Sequence, residues 1–124
     1  MISKNNFLIC VIVLTTMAVP YLIFPWTKEN FSNKNIFYIF VYPGCGHCEN
    51  VKPEWKKLVD LVKKNKLNVD LKLVNSENSK NEKLVNFHKV EGFPTFILKK
   101  NKQKIQYEGE RNALQMFQFL QNNI

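Results

Sequence analysis

Hydrophobic and polar positions alternate in three different rhythms along the chain, and each rhythm predicts a different element. Phe7 to Trp26 (FLICVIVLTTMAVPYLIFPW) carries no charge at all. Twenty such residues at a helical rise of 1.5 Å span about 30 Å, the thickness of a bilayer core. Ile36–Tyr42 (IFYIFVY) is an unbroken run of β-branched and aromatic residues, the pattern of a strand buried on both faces, and Pro43-Gly44 ends it. From Cys45–His47 onward the period lengthens. Val51, Trp55, Leu58 and Val62 fall on one face of a helix, with Pro53 inside it as a kink. Val69–Val74 alternates and predicts a second strand. Ser79–His88 predicts a helix with Leu84, Val85, Phe87 and His88 near its end. Pro94–Lys99 and Lys104–Tyr107 predict two short strands joined by a turn at Asn101. Arg111–Gln121 predicts a closing helix with Leu114, Phe117 and Leu120 inward.

The order strand, helix, strand, helix, strand, strand, helix predicts an α/β domain with a mixed sheet covered on both faces. The expected organisation is an N-terminal signal anchor or transmembrane segment over residues 1–26, a polar linker over 27–35 and one domain over 36–124. A cleaved signal peptide is the rival for the first segment. Its small-residue site would be Thr16-Met17-Ala18, and the apolar stretch resuming at Tyr21 favours an uncleaved anchor. Lys4 on one side and Lys28 and Lys34 on the other nearly balance, so charge does not settle the orientation.

The net charge of +8 comes almost wholly from lysine, with Arg111 the one arginine. These lysines are scattered among glutamates and no cluster interleaves them with aromatics. The reading is a solvated basic surface, with no nucleic-acid partner.

The candidate chemistry is Cys45-Gly46-His47-Cys48. Two residues between cysteines on one helical turn bring the sulfurs close enough to cycle between dithiol and disulfide. The first cysteine meets the unpaired N–H groups and positive dipole end of the helix, which favour its thiolate, and the thiolate is the attacking species. Cys45 is therefore the candidate nucleophile and Cys48 the resolving thiol. An imidazole at His47 favours the reduced form and makes the disulfide more oxidising. Zinc sites also use paired cysteines, but His47 and His88 are poor further ligands within one chain, so no metal is expected.

Further segments narrow the reading. Tyr42–Cys48 resembles the active-site segment of the protein disulfide isomerase branch of thioredoxins. Pro53 matches that family's helix proline. Val90-Glu91-Gly92-Phe93-Pro94-Thr95 resembles its cis-proline loop, and Tyr107-Glu108-Gly109-Glu110-Arg111 resembles the segment before its last helix. The resemblance covers about residues 36–122 and implies a thioredoxin fold. It implies a cis Pro94, with Phe93, Pro94 and Thr95 binding an extended substrate backbone. It further implies redox tuning by Gly46, His47 and a mobile Arg111 that lowers the pKa of Cys48. No cofactor is expected beyond the Cys45–Cys48 disulfide.

Three positions depart from the family. Ile39 stands where a buried Glu or Asp usually accepts the proton of the resolving thiol. Glu49 replaces the usual Lys, and a carboxylate there would raise nearby thiol pKa values. Gly44 replaces the usual Trp and removes a flat apolar surface beside the disulfide. The expected function is a thiol–disulfide oxidoreductase of the oxidase or isomerase type, acting on cysteines of exported or membrane proteins. Its partners would be cysteine-containing proteins, an unidentified electron donor or acceptor, and membrane lipid. The expected setting is an oxidising compartment: endoplasmic reticulum lumen first, viral envelope or bacterial periplasm as alternatives. The rival functions are a client-binding module without turnover and a metal site.

Overall fold

The computed structural model describes residues 34–124. The apolar segment 7–26, and with it the expected anchor, lies outside the described residues. Among the described residues no helix is long and apolar enough to cross a membrane.

Four strands and three helices follow one another as β1 Ile36–Val41, α1 Gly46–Lys64, β2 Asp70–Asn75, α2 Glu82–His88, β3 Thr95–Lys100, β4 Gln103–Tyr107 and α3 Ala113–Asn123. The sheet order is β2-β1-β3-β4. β1 runs parallel to β2 and antiparallel to β3, and β3 and β4 form an antiparallel hairpin. The mixed sheet expected from the element order is present.

β1 is central because both of its faces are apolar. Phe37, Ile39 and Val41 point to one side, where Val51, Leu58 and Val62 of α1 and Met116, Phe117 and Leu120 of α3 cover them. Tyr38 and Phe40 point to the other, against Val74, Ile97 and the half-buried Leu84 and Val85. Burial on both faces removes the alternation that a half-exposed strand would show. β2 is an edge strand, which leaves Leu73 40% exposed despite its apolar character.

Differences from the sequence reading have local causes. The segment Ser79–His88 is not one helix. A 3₁₀ turn over Ser79–Asn81 comes first, with the Asn78 side chain accepting from the Lys80 N–H, and α2 then starts at Glu82. On α3 the inward stripe is Ala113, Met116, Phe117 and Leu120, the i, i+3, i+4, i+7 pattern, and Leu114 is 59% exposed. On α2, Phe87 faces outward and His88 is buried. β3 begins at Thr95 because Pro94 has no N–H to give the ladder. Asn101, at positive φ, opens the two-residue hairpin turn.

Candidate active site

The chain leaves β1 through Tyr42-Pro43-Gly44, and the Cys45 N–H closes this turn on the Tyr42 carbonyl at 3.3 Å. Gly44 has φ +77°, the left-handed position that a Pro-Gly turn reserves for glycine. A tryptophan, which the family usually carries here, would be strained at this φ. The turn delivers Cys45 to the N-cap of α1 (φ −80°, ψ 112°), where its Sγ accepts from the Cys48 N–H at 3.4 Å. A sulfur thus fills the role that a serine or aspartate oxygen usually fills at a helix start. Cys45 is half-buried and Cys48 is 1% exposed; both are free thiols. Gly46 and His47 stand exposed on the first turn between them.

The two thiols are pushed in opposite directions. Cys45 lies below the ordinary thiol range. The largest cause is a hydrogen bond from the Cys48 thiol, and the backbone N–H groups of Cys48 and His47 and the charge of Arg111 add to it against partial burial. Cys48 lies above the ordinary range. Burial is the main cause, followed by its hydrogen bond to Cys45 and the charge of that thiolate. The Tyr42 backbone and Arg111 act the other way on Cys48, without reversing the outcome. A pair whose pKa values are driven apart divides the work between an attacking anion and a reserve thiol.

Glu49, expected to raise nearby thiols, is not among the groups that shift either Cys45 or Cys48. Its carboxylate is tied to Lys52 Nζ at 2.6 and 2.8 Å, one turn along α1, and the net displacement of Cys45 is downward. Ile39, by contrast, is fully buried in the apolar core beneath α1, so no carboxylate occupies that position.

Across from Cys45 lies the loop before β3. The Phe93–Pro94 peptide is cis, and the Cys45 thiol faces the Phe93 carbonyl at 3.7 Å. Thr95 Oγ1 donates to the Gly92 carbonyl at 2.6 Å and closes the loop. The Phe93 ring meets the ring of Tyr42 with centroids 5.5 Å apart. These two rings pack together where the residue before the Pro43-Gly44 turn meets the cis-proline loop. Sequence reading gave Tyr42 no such part, because its partner lies 51 positions away.

Arg111 follows a tightly built loop. The Tyr107 ring lies over Gly109, where a Cβ would fall 2.6 Å from ring atoms, and the Tyr107 hydroxyl donates to the Glu110 carbonyl at 2.5 Å. The Tyr-x-Gly-x-Arg spacing is thereby explained: ring, gap for the ring, and the arginine released at the far side. Pro94, Thr95 and Arg111 line one shallow pocket of about 250 Å³. Two residues after Arg111, the Ala113 N–H donates to Glu54 of α1 at 2.8 Å, so that α3 is capped from another element. No local pattern announced that contact.

His47 stands beside the pair, whereas His88 packs its ring against Tyr38 and Phe40 on the opposite face of the sheet. Among the described residues no three His, Cys, Asp or Glu side chains gather as a metal site.

The comparisons with known proteins match this geometry. The family model for thioredoxin matches residues 26–122. The chain is 32% identical to a barley (Hordeum vulgare) protein disulfide-isomerase over 87 residues, covering 68% of this chain and 17% of that one. It is 36% identical to the Saccharomyces cerevisiae protein disulfide-isomerase over 85 residues, covering 65% and 15%. The chain thus spans about a sixth of the length of these curated relatives. Among solved structures, the first two thioredoxin domains of S. cerevisiae Eps1p align with TM-score 0.65 at 25% identity, covering 77% of this chain and 37% of that one. A malarial protein aligns with TM-score 0.61 at 25% identity, covering 74% and 99%. The chain belongs to the thioredoxin family, as a domain of the protein disulfide isomerase type.

Proposed function

We propose that the chain is a thiol–disulfide oxidoreductase of the oxidase or isomerase type, working through the Cys45–Cys48 couple on cysteines of exported or membrane proteins. The observation that carries this is the Cys45 sulfur at the tip of α1, 3.4 Å from the Cys48 N–H and beside the Phe93 carbonyl. In the oxidising direction a client thiolate attacks Cys45 of the disulfide, and Cys48 leaves as a thiolate and takes a proton. A second client thiolate then attacks the client sulfur of the mixed disulfide and releases Cys45. The client loses two electrons, the pair gains them, and an electron acceptor restores the disulfide. The couple itself is the redox group and no other cofactor takes part. Phe93, Pro94 and Thr95 offer backbone to an extended client, while Gly46, His47 and Arg111 tune the thiols.

The relatives named protein disulfide-isomerase support an oxidising compartment of the endoplasmic reticulum type. Residues 1–26 serve as the membrane anchor and 27–35 as its linker, with the redox domain on the exported side.

A Cys48→Ala variant tests the reading, because it leaves the mixed disulfide without its resolving thiol. Expressed in cells, it is expected to accumulate client adducts that vanish on reduction and in a Cys45→Ser, Cys48→Ala double variant. The absence of Cys45-dependent adducts would contradict it. A second reading, client binding without turnover, draws on the buried Ile39. It requires that Cys45→Ser keep full biological activity.

A further inference from the structure

The proton of Cys48 has no evident destination in the apolar core. The thiol is 1% exposed, and Ile39 fills the space where a buried carboxylate would sit. Yet Cys48 is not sealed in. It lines a cavity of about 280 Å³ together with Tyr42, Glu49, Lys52, Leu73 and Asn75. That volume holds several waters at about 30 Å³ each. Cys48 and Glu49 share its wall, and the Glu49 side chain is 54% exposed. The cavity thus has the resolving cysteine and a surface carboxylate in one lining.

The charges around it are few. α1 supplies Glu49 and Lys52, in contact at 2.6 Å. β2 supplies only the neutral Leu73 and Asn75, and the turn after β1 supplies Tyr42. Arg111, from the loop before α3, and Cys45 itself are the remaining charged groups acting on Cys48. Among the described residues Glu49 is the one carboxylate on the cavity wall, and Lys52 pairs with it there.

We propose that Glu49, held by Lys52, exchanges the proton of Cys48 through water in this cavity, in place of the buried carboxylate that Ile39 has displaced. The inference rests on the oxidoreductase reading. In the reducing direction Cys45 is joined to a client sulfur. A cavity water takes the Cys48 proton and passes one to the Glu49 carboxylate. The Cys48 thiolate attacks Cys45 Sγ, and the Cys45–client bond breaks with its electron pair on the client sulfur. The Cys45–Cys48 bond forms, two electrons have passed from the pair to the client, and the client thiolate takes its proton from solvent. In the oxidising direction the steps reverse, and Glu49 returns the proton to the departing Cys48.

The test is a stopped-flow reaction of the reduced protein with dithiobis-nitrobenzoate, whose released thiolate is coloured. The first release reports attack by Cys45, the second resolution by Cys48. Glu49→Gln is expected to leave the first phase unchanged and slow the second about tenfold or more, less than the roughly 10²–10⁴-fold of a base in direct contact because water relays the proton. Added formate or imidazole is expected to restore the second phase, and Glu49→Asp to retain most of it. An unchanged second phase in Glu49→Gln overturns the proposal. So does slowing without rescue by added base, or slowing of both phases by one factor. Absence of the first phase in the unaltered protein would instead overturn the oxidoreductase reading, and this inference with it.

Discussion

Cys45 and Cys48 are the same residue type three positions apart, yet burial and hydrogen bonding send them opposite ways. Cys45 gains N–H donors at the helix tip, while Cys48 loses water. Linkage sets how this affects stability. The depressed Cys45 stabilises the reduced fold at pH values above the free-thiol range, and that contribution is lost as pH falls through its folded pKa. The raised Cys48 stabilises the fold below the free-thiol range, and its contribution is lost as pH rises through its folded pKa. Arg111 favours the anionic form of both thiols. Arg111→Gln should therefore move the pH of half-maximal Cys45 alkylation upward, read by iodoacetamide labelling and mass spectrometry. A downward shift, or none, would remove Arg111 from the set of tuning residues. The nucleophile was readable at this scale because Cys-x-x-Cys at a helix start has few alternative uses. The ion pair of Glu49 was present in the sequence as an i, i+3 Lys52, but the side chains had to be placed before it could be weighed against the thiol.

Among the elements, β1 and α1 were the most legible, since one is a continuous apolar run and the other keeps a helical period over about three turns. α3 was less so. Leu114 and Met116 both fit an apolar stripe, and only the direction in which the helix docks on β1 decides between them. That choice gives a direct check. Met116→Ala should cost about 2–5 kcal/mol in urea unfolding, as for other fully buried side chains. Leu114→Ser should fall within about 0.5 kcal/mol of the unaltered protein. Equal costs would mean that α3 docks on a different face. The cap that Glu54 gives to Ala113 could not be seen at all, because the partners lie 59 residues apart.

For the whole molecule, the topology places chemistry where two elements end. β1 stops at a turn that needs Gly44, α1 begins on Cys45, and the hairpin brings Pro94 and Arg111 to the same end of the sheet. The order of the elements predicted this sheet. Which strand lies at an edge it did not predict, so Leu73 was not read as a partly exposed wall of the cavity beneath Cys48. The account's central claim is that this arrangement stabilises the reduced pair and makes the disulfide an oxidant. The most direct measurement is the midpoint potential of the Cys45–Cys48 couple in glutathione redox buffers, read by mass after thiol trapping. The expected result is a reversible two-electron transition well above the roughly −270 mV of thioredoxin, toward the roughly −180 mV of protein disulfide isomerase. A midpoint at or below the thioredoxin value, or no reversible transition at all, would contradict it.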